Sequence, residues 1–189
     1  LKDKELAAKL RLKKAFGVDR THGERKIPGV YDTVALGFNY RMSEIHSAIG
    51  IEQMKKLPRF LEERKANFDA LKIALEGVAG IRVLEQPVEG RLKSCHYCMG
   101  VILEGDLASK RPEIMQELSA AGVGSSVYYP QPVPRMTYYK EKYGYEHTEY
   151  QHASLISDSI LALPVGPHLN TGHMQEIADE LKRSIENHR

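Results

Sequence analysis

The chain has 189 residues, 42% of them hydrophobic and 28% charged, with a formal net charge of +2, enough apolar content for one packed domain or one and a half. So small a charge excludes an electrostatic case for nucleic acid or an anionic membrane, and no apolar run approaches the roughly 18 residues that cross a bilayer. Two cysteines three positions apart, Cys95 and Cys98, cannot staple distant segments, and with no visible signal peptide a reducing, cytoplasmic setting is expected.

The chain opens on Leu1 rather than Met. LKDKELAAKLRLKKAF predicts a helix at about 3–15 with Leu6, Leu10 and Leu12 roughly on one side. A single apolar stripe needs something to pack on, so residues before Leu1 are expected. VDRTHGERKIPG reads as an irregular surface segment within a loop at 17–37. GFNYRMSEIHSAIG then enters a long helical region, with Ser43 as N-cap and Glu44 suited to the helix dipole. Ile45, Ile49, Ala48 and Gly50 suggest close packing on another element. Pro58 is expected to kink or split the helix, and Phe60, Leu61, Phe68, Leu71 and Leu75 resume the helical spacing until Gly77 and Gly80 close it.

Beyond Gly80 the period changes. IRVLEQ reads as a strand bracketed by Ile81, Val83 and Gln86, and CHYCMGVIL (95–103) as a second one. RPEIMQELSAA (111–121) is helical with Pro112 in its first turn, ending at Gly122 and Gly124. SSVYY (125–129) predicts a third strand, PQPVP a breaker, YYKEKYGY an aromatic loop or short helix, and 149–159 a helix. ILALPVGP is extended. TGHMQEIADELKRSIENH closes the chain as an amphipathic helix burying Ile177, Leu181 and Ile185. This order fits a small α+β domain with a short antiparallel or mixed sheet.

Three segments carry chemistry. In GFNYRMSEIHSAIG, Asn39 and Arg41 stand just before a helix N-terminus, where anions are favoured. The asparagine amide can donate to one phosphate oxygen and the guanidinium can fork onto another. The structural alternative is a turn cap and a surface ion pair. VYYPQPVPRMTYYKEKYGY holds six tyrosines in nineteen residues, suited to stacking on flat rings or hydrogen bonding sugars, or to packing a loop onto the body. Cys95-His96-Tyr97-Cys98 has the spacing of a zinc half-site, but with no second pair no metal is expected; if the segment is a strand, core thiols are the expectation. His46 reads as packing or surface, and His168 as shaping an extended turn, with lining a pocket as the lesser alternative.

These segments resemble the DegT/DnrJ/StrS family of sugar aminotransferases. GFNYRMSEIHSAIGIEQMKKLPRFLEERKANFDAL resembles the family's segment after its catalytic lysine region. YYPQPVPRMTYY resembles its substrate-facing loop, and ISDSILALPVGPHLNTGHMQEIADEL its ending. The opening helix resembles the one that follows the lysine-bearing loop. The resemblance implies an α/β fold of the fold-type-I, pyridoxal-phosphate-dependent kind. Residues 1–57 would be the end of the large cofactor-binding domain, and 58–189 a small C-terminal α+β domain with a mainly antiparallel sheet.

It further implies a homodimer with shared active sites, pyridoxal 5'-phosphate as cofactor, and transfer of an amino group, from glutamate, to a keto-sugar nucleotide. Asn39 matches a residue that reaches the neighbouring subunit's cofactor phosphate. Arg41 matches one near the substrate diphosphate, Tyr128 and Tyr129 match the substrate-side loop, and His96 a polar strand position near the site. The lysine that holds the cofactor would lie upstream of Leu1; Lys2, Lys4, Lys9, Lys13 and Lys14 belong to a solvated helix face. The chain alone is therefore expected to lack activity. Two rival readings are a non-catalytic nucleotide-sugar-binding or dimerisation module, and a sugar dehydratase using the same cofactor.

Overall fold

In a computed structural model the chain is described at residues 2–19, 22–24, 27, 29–85, 90, 92–146 and 148–189. Gln86, expected to bracket the first strand, lies outside the described residues, as do positions 20, 21, 25, 26 and 28 of the VDRTHGERKIPG loop. The chain divides into two compact units, Leu1–Lys55 and Lys56–Arg189.

The first unit begins with α1, Lys4–Lys13. Asp3 caps it by accepting from the Leu6 amide at 3.0 Å, one of the orphan donors of a helix start. None of its residues is buried, and Leu6 and Leu10 stay exposed. Two chain passages cross behind it. Phe38 N–H donates to Lys13 O, Phe16 N–H to Phe38 O, and Tyr40 N–H to Lys14 O. The crossing requires glycine: a Cβ on Gly17, which has φ +69°, would overlap Ala35 O, and one on Gly37 would overlap Gly17 N. The unit is held by such backbone bonds rather than by buried side chains.

Helix α2 runs Glu44–Ala74, and the boundary between the units falls within it. Ser43 caps it as expected, its hydroxyl accepting from His46 N–H at 3.3 Å while the His46 ring closes back at 2.8 Å. Pro58 does not split the helix. The N–H it lacks leaves one carbonyl without its helical partner, and on this water-facing surface solvent can serve that carbonyl. Contrary to expectation, among the described residues nothing covers Ile45 or Ile49, and Ile45 is 75% exposed.

The second unit closes around its own core. Three antiparallel strands, β1 (Ile81–Leu84), β2 (Met99–Leu103) and β3 (Ile160–Leu163), lie in the order β1-β2-β3. The register sets Val83 against Val101 and Val101 against Leu161. Period-two alternation points Met99, Val101, Leu103, Leu161 and Leu163 to one face. There they meet Phe68, Leu71 and Leu75 of α2, Ile114 and Leu118 of α3 (Arg111–Ala120), and Met174, Ile177, Leu181 and Ile185 of α6 (Thr171–Asn187). Fully burying such a side chain contributes about 1.5–3 kcal/mol.

The tyrosine-rich segment contains one short helix, α4 (Thr137–Tyr143), and a second, α5 (Gln151–Ser159), follows it. Arg135 forks onto Asp158 with two 2.8 Å bonds. Arg111 donates to the carbonyls of Ser157 and Ile160 where α5 passes into β3. Asn170 and His173 form a reciprocal capping box at the start of α6.

Two expected strands differ. Residues 95–98 are not part of β2: His96 has φ +42° and its N–H turns back to Ser94 Oγ at 3.1 Å. Cys95 consequently lies on the surface, not among core thiols, and Cys98 is half-buried. SSVYY contributes a single bridge, Ser126 to Ala162, and the third strand is β3 instead; Pro130, just beyond, has no N–H to extend that pairing. Among the described residues no helix is long and apolar enough to cross a membrane, and no group of three or more His, Cys, Asp and Glu could hold a metal ion.

Candidate functional site

In the first unit, residues 38–41 pass the end of α1 in extended form, so alternate side chains take opposite sides. Phe38 and Tyr40 stack with centroids 5.3 Å apart. Asn39 and Arg41 form the other pair: Arg41 Nε donates to Asn39 Oδ1 at 3.4 Å, and the guanidinium carbon sits 5.1 Å from the Phe16 ring centroid. The ring face and the amide together fix the guanidinium. The Asn39 amide N–H groups and the terminal N–H groups of Arg41 keep no partner among the described residues. Both side chains are exposed, immediately ahead of the Ser43 cap and the positive end of α2. Such a cluster of donors and positive charge can take a phosphate.

In the second unit a cavity of about 290 Å³ opens beside the sheet edge, lined in part by Arg64, Tyr97, Cys98, Ser125, Ser126, Tyr128 and His168. Tyr97 and Tyr128 stack at 6.2 Å and 28°, and the Arg64 guanidinium carbon lies 5.7 Å from the Tyr97 centroid. The neighbouring Tyr97 hydroxyl above all, and then burial, push the Tyr128 phenol above its ordinary value. Burial, then the neighbouring Cys95, push the Cys98 thiol up, so it is a neutral wall group near neutral pH. The Tyr129 ring lies tilted at 37° to Tyr128, 5.5 Å away, and is 69% exposed. The His96 ring turns to Phe68 of α2, 4.7 Å away. His168 lines the cavity and packs its ring on Gly166.

Two residues that sequence reasoning passed over shape this wall. Arg64 is one. Asn67 is the other: buried on α2, its amide nitrogen donates toward the carbonyls of Val165, Gly166 and Leu169 at 3.4, 3.1 and 3.1 Å. Their signal in the sequence is weak, a polar residue on the otherwise apolar stripe of Phe68, Leu71 and Leu75.

The family model for DegT/DnrJ/EryC1/StrS aminotransferases matches residues 1–182. The chain belongs to this family. The UDP-4-amino-4,6-dideoxy-N-acetyl-beta-L-altrosamine transaminase of Campylobacter jejuni is 26% identical over 97% of the chain and 46% of its own length. PseC of Helicobacter pylori, an aminotransferase involved in the biosynthesis of pseudoaminic acid, matches with a TM-score of 0.84 at 21% identity, over 98% of this chain and 47% of that one. The sugar aminotransferase candidate Spr1654 of Streptococcus pneumoniae, in its PMP form, matches at 0.87 and 25% identity, over the whole of this chain and 47% of that one. This member of the DegT/DnrJ/EryC1/StrS family thus spans about half the length of the curated relatives it matches, and its α/β architecture is theirs.

Proposed function

We propose that these residues belong to a pyridoxal-phosphate-dependent aminotransferase that moves an amino group from an amino acid, glutamate, to a keto-sugar nucleotide in amino-sugar or polysaccharide biosynthesis, in the cytoplasm. The family supports the reaction class, and the solved PMP and PLP forms of Spr1654 support the cofactor. When bound, pyridoxal phosphate supplies the electron sink and the carrier of the amino group.

The observation that carries the reading is the Asn39–Arg41 pair at the mouth of α2. Asn39 donates its amide to the cofactor phosphate of a neighbouring subunit in a homodimer with shared sites. Arg41, braced on Phe16, takes the diphosphate of the sugar nucleotide. Tyr128, Tyr129 and His96 orient the sugar end. Residues 1–57 are the end of the cofactor domain and 58–189 the small domain.

Two measurements test this. In the complete protein, Asn39→Ala should weaken cofactor binding about tenfold or more, as one charge-assisted hydrogen bond is lost, read by absorbance titration; unchanged affinity sinks the assignment. The 189-residue chain, supplied with cofactor, glutamate and a keto-sugar nucleotide, should show no turnover because none of its lysines matches the cofactor-holding one. A second reading, a separately acting binding or dimerisation module, is favoured by the closed core of residues 56–189. It predicts nucleotide-sugar binding by this chain without turnover in any longer form.

A further inference from the structure

The geometry points to the 290 Å³ cavity of the second unit as a small-oxyanion site, with Arg64 as its cationic anchor. Among the described residues its lining holds one guanidinium and the polar groups of Tyr97, Tyr128, Ser125, Ser126 and His168, and no Asp or Glu. Arg64 Nε is enclosed and has no hydrogen-bond partner among the described residues. Arg59, on the same helix, pairs with Glu63 at 3.1 Å, and Arg135 forks onto Asp158. A half-buried guanidinium without a carboxylate is costly unless an anion completes it.

The remaining geometry selects the kind of anion. Tyr97 holds the Arg64 guanidinium against its ring face, which leaves the planar fork directed rather than free. Carboxylate and phosphate match that fork. Hydroxyls at Ser125, Ser126 and Tyr128 can donate to further oxygens. The far wall, residues 164–168, is held by Asn67, so little ordering remains to be done on binding. The volume lies at the low end of small-molecule sites, about 300–1,000 Å³, which suits a short dicarboxylic acid or a small phosphate rather than a whole nucleotide sugar. The assignment concerns residues 64–168 alone and stands apart from transamination: failure of turnover in the complete protein leaves it intact, and failure of anion binding leaves the Asn39 test intact.

The full chain is titrated separately with 2-oxoglutarate and with inorganic phosphate, followed by tyrosine fluorescence and by NMR. Saturable binding of either is expected, weakened about tenfold or more by Arg64→Gln, the loss of one anchoring charge pair. Ser125→Glu, which offers Arg64 an internal carboxylate, should abolish binding. It decides the matter if Arg64→Gln fails to fold. Tighter binding of 2-oxoglutarate marks a carboxylate as the occupant, and tighter binding of phosphate a phosphoryl group. No saturable binding of either anion, or unchanged binding in a folded Arg64→Gln or Ser125→Glu chain, overturns the assignment.

Discussion

The two units solve the problem of staying folded in opposite ways. In residues 56–189, three helices and a sheet contribute side chains to one core, with Leu71, Val101, Leu161 and Leu181 fully removed from water. In residues 1–55 no described side chain is buried, while Leu36, Phe38, Tyr40, Met42 and Ile45 are exposed. That unit keeps its path through backbone bonds at the Gly17–Gly37 crossing. Order at the Asn39–Arg41 pair therefore depends on backbone geometry, and order at the Arg64 cavity on side-chain packing.

The sharpest break of this contrast is Leu161→Ala. It should cost about 3 kcal/mol through lost burial and a residual cavity, read as a lowered urea midpoint; a cost below 1 kcal/mol would mean the second core is not what holds the unit. Next is Asn67→Ala, which leaves three carbonyls without their donor. A loss of about 1–3 kcal/mol is expected, with faster amide exchange at Leu169.

Third, Gly17→Ala forces an L side chain into a left-handed conformation against Ala35 O. It should cost more than about 1 kcal/mol locally, accelerating exchange at Phe38 and Tyr40 while the urea midpoint of the second core stays put. Fourth is a pH effect. The Ser184 hydroxyl beside it, then the hydrogen bonds from Asn187 and His188, hold Glu117 below its ordinary value of 4.5, and those two bonds join α3 to the end of α6. A depressed carboxylate stabilises the fold above that ordinary value and ceases to as pH falls through its folded value. Glu117→Gln should therefore lower the melting temperature near neutrality, where the carboxylate stabilises the fold, and flatten its acid limb below about pH 4.5. Smallest is Leu36→Ala. At 81% exposure it should change stability of this chain by under about 0.5 kcal/mol.

The helices were legible because the 3.6-residue spacing of Phe68, Leu71 and Leu75, and of Ile177, Leu181 and Ile185, is what burial on one side demands. The third strand was legible only as the extended run ILALPVGP, not as a member of the sheet. Ile160 through Leu163 are buried on both faces, so no alternation marks them, whereas SSVYY has the strand-forming residues but little pairing. CHYC misled for a related reason: local propensity favours a strand there, and a positive φ at His96 overrides it. At the candidate site, the placing of Asn39 and Arg41 together ahead of a helix start was legible from their spacing. Arg64 and Asn67 were not, since each acts on residues far along the chain, 98 to 102 positions away for Asn67.

The Asn67 clamp hangs three carbonyls on one nitrogen. Hydrolytic deamidation of that side chain would replace the donor with a carboxylate oxygen facing the same three acceptors, turning attraction into repulsion. Burial guards the amide while the chain is folded, so the damage belongs to heat-stressed, transiently opened molecules. Chains altered there would fail to close the 165–169 loop on refolding, and the stock would age by losing its ability to recover rather than by losing native structure.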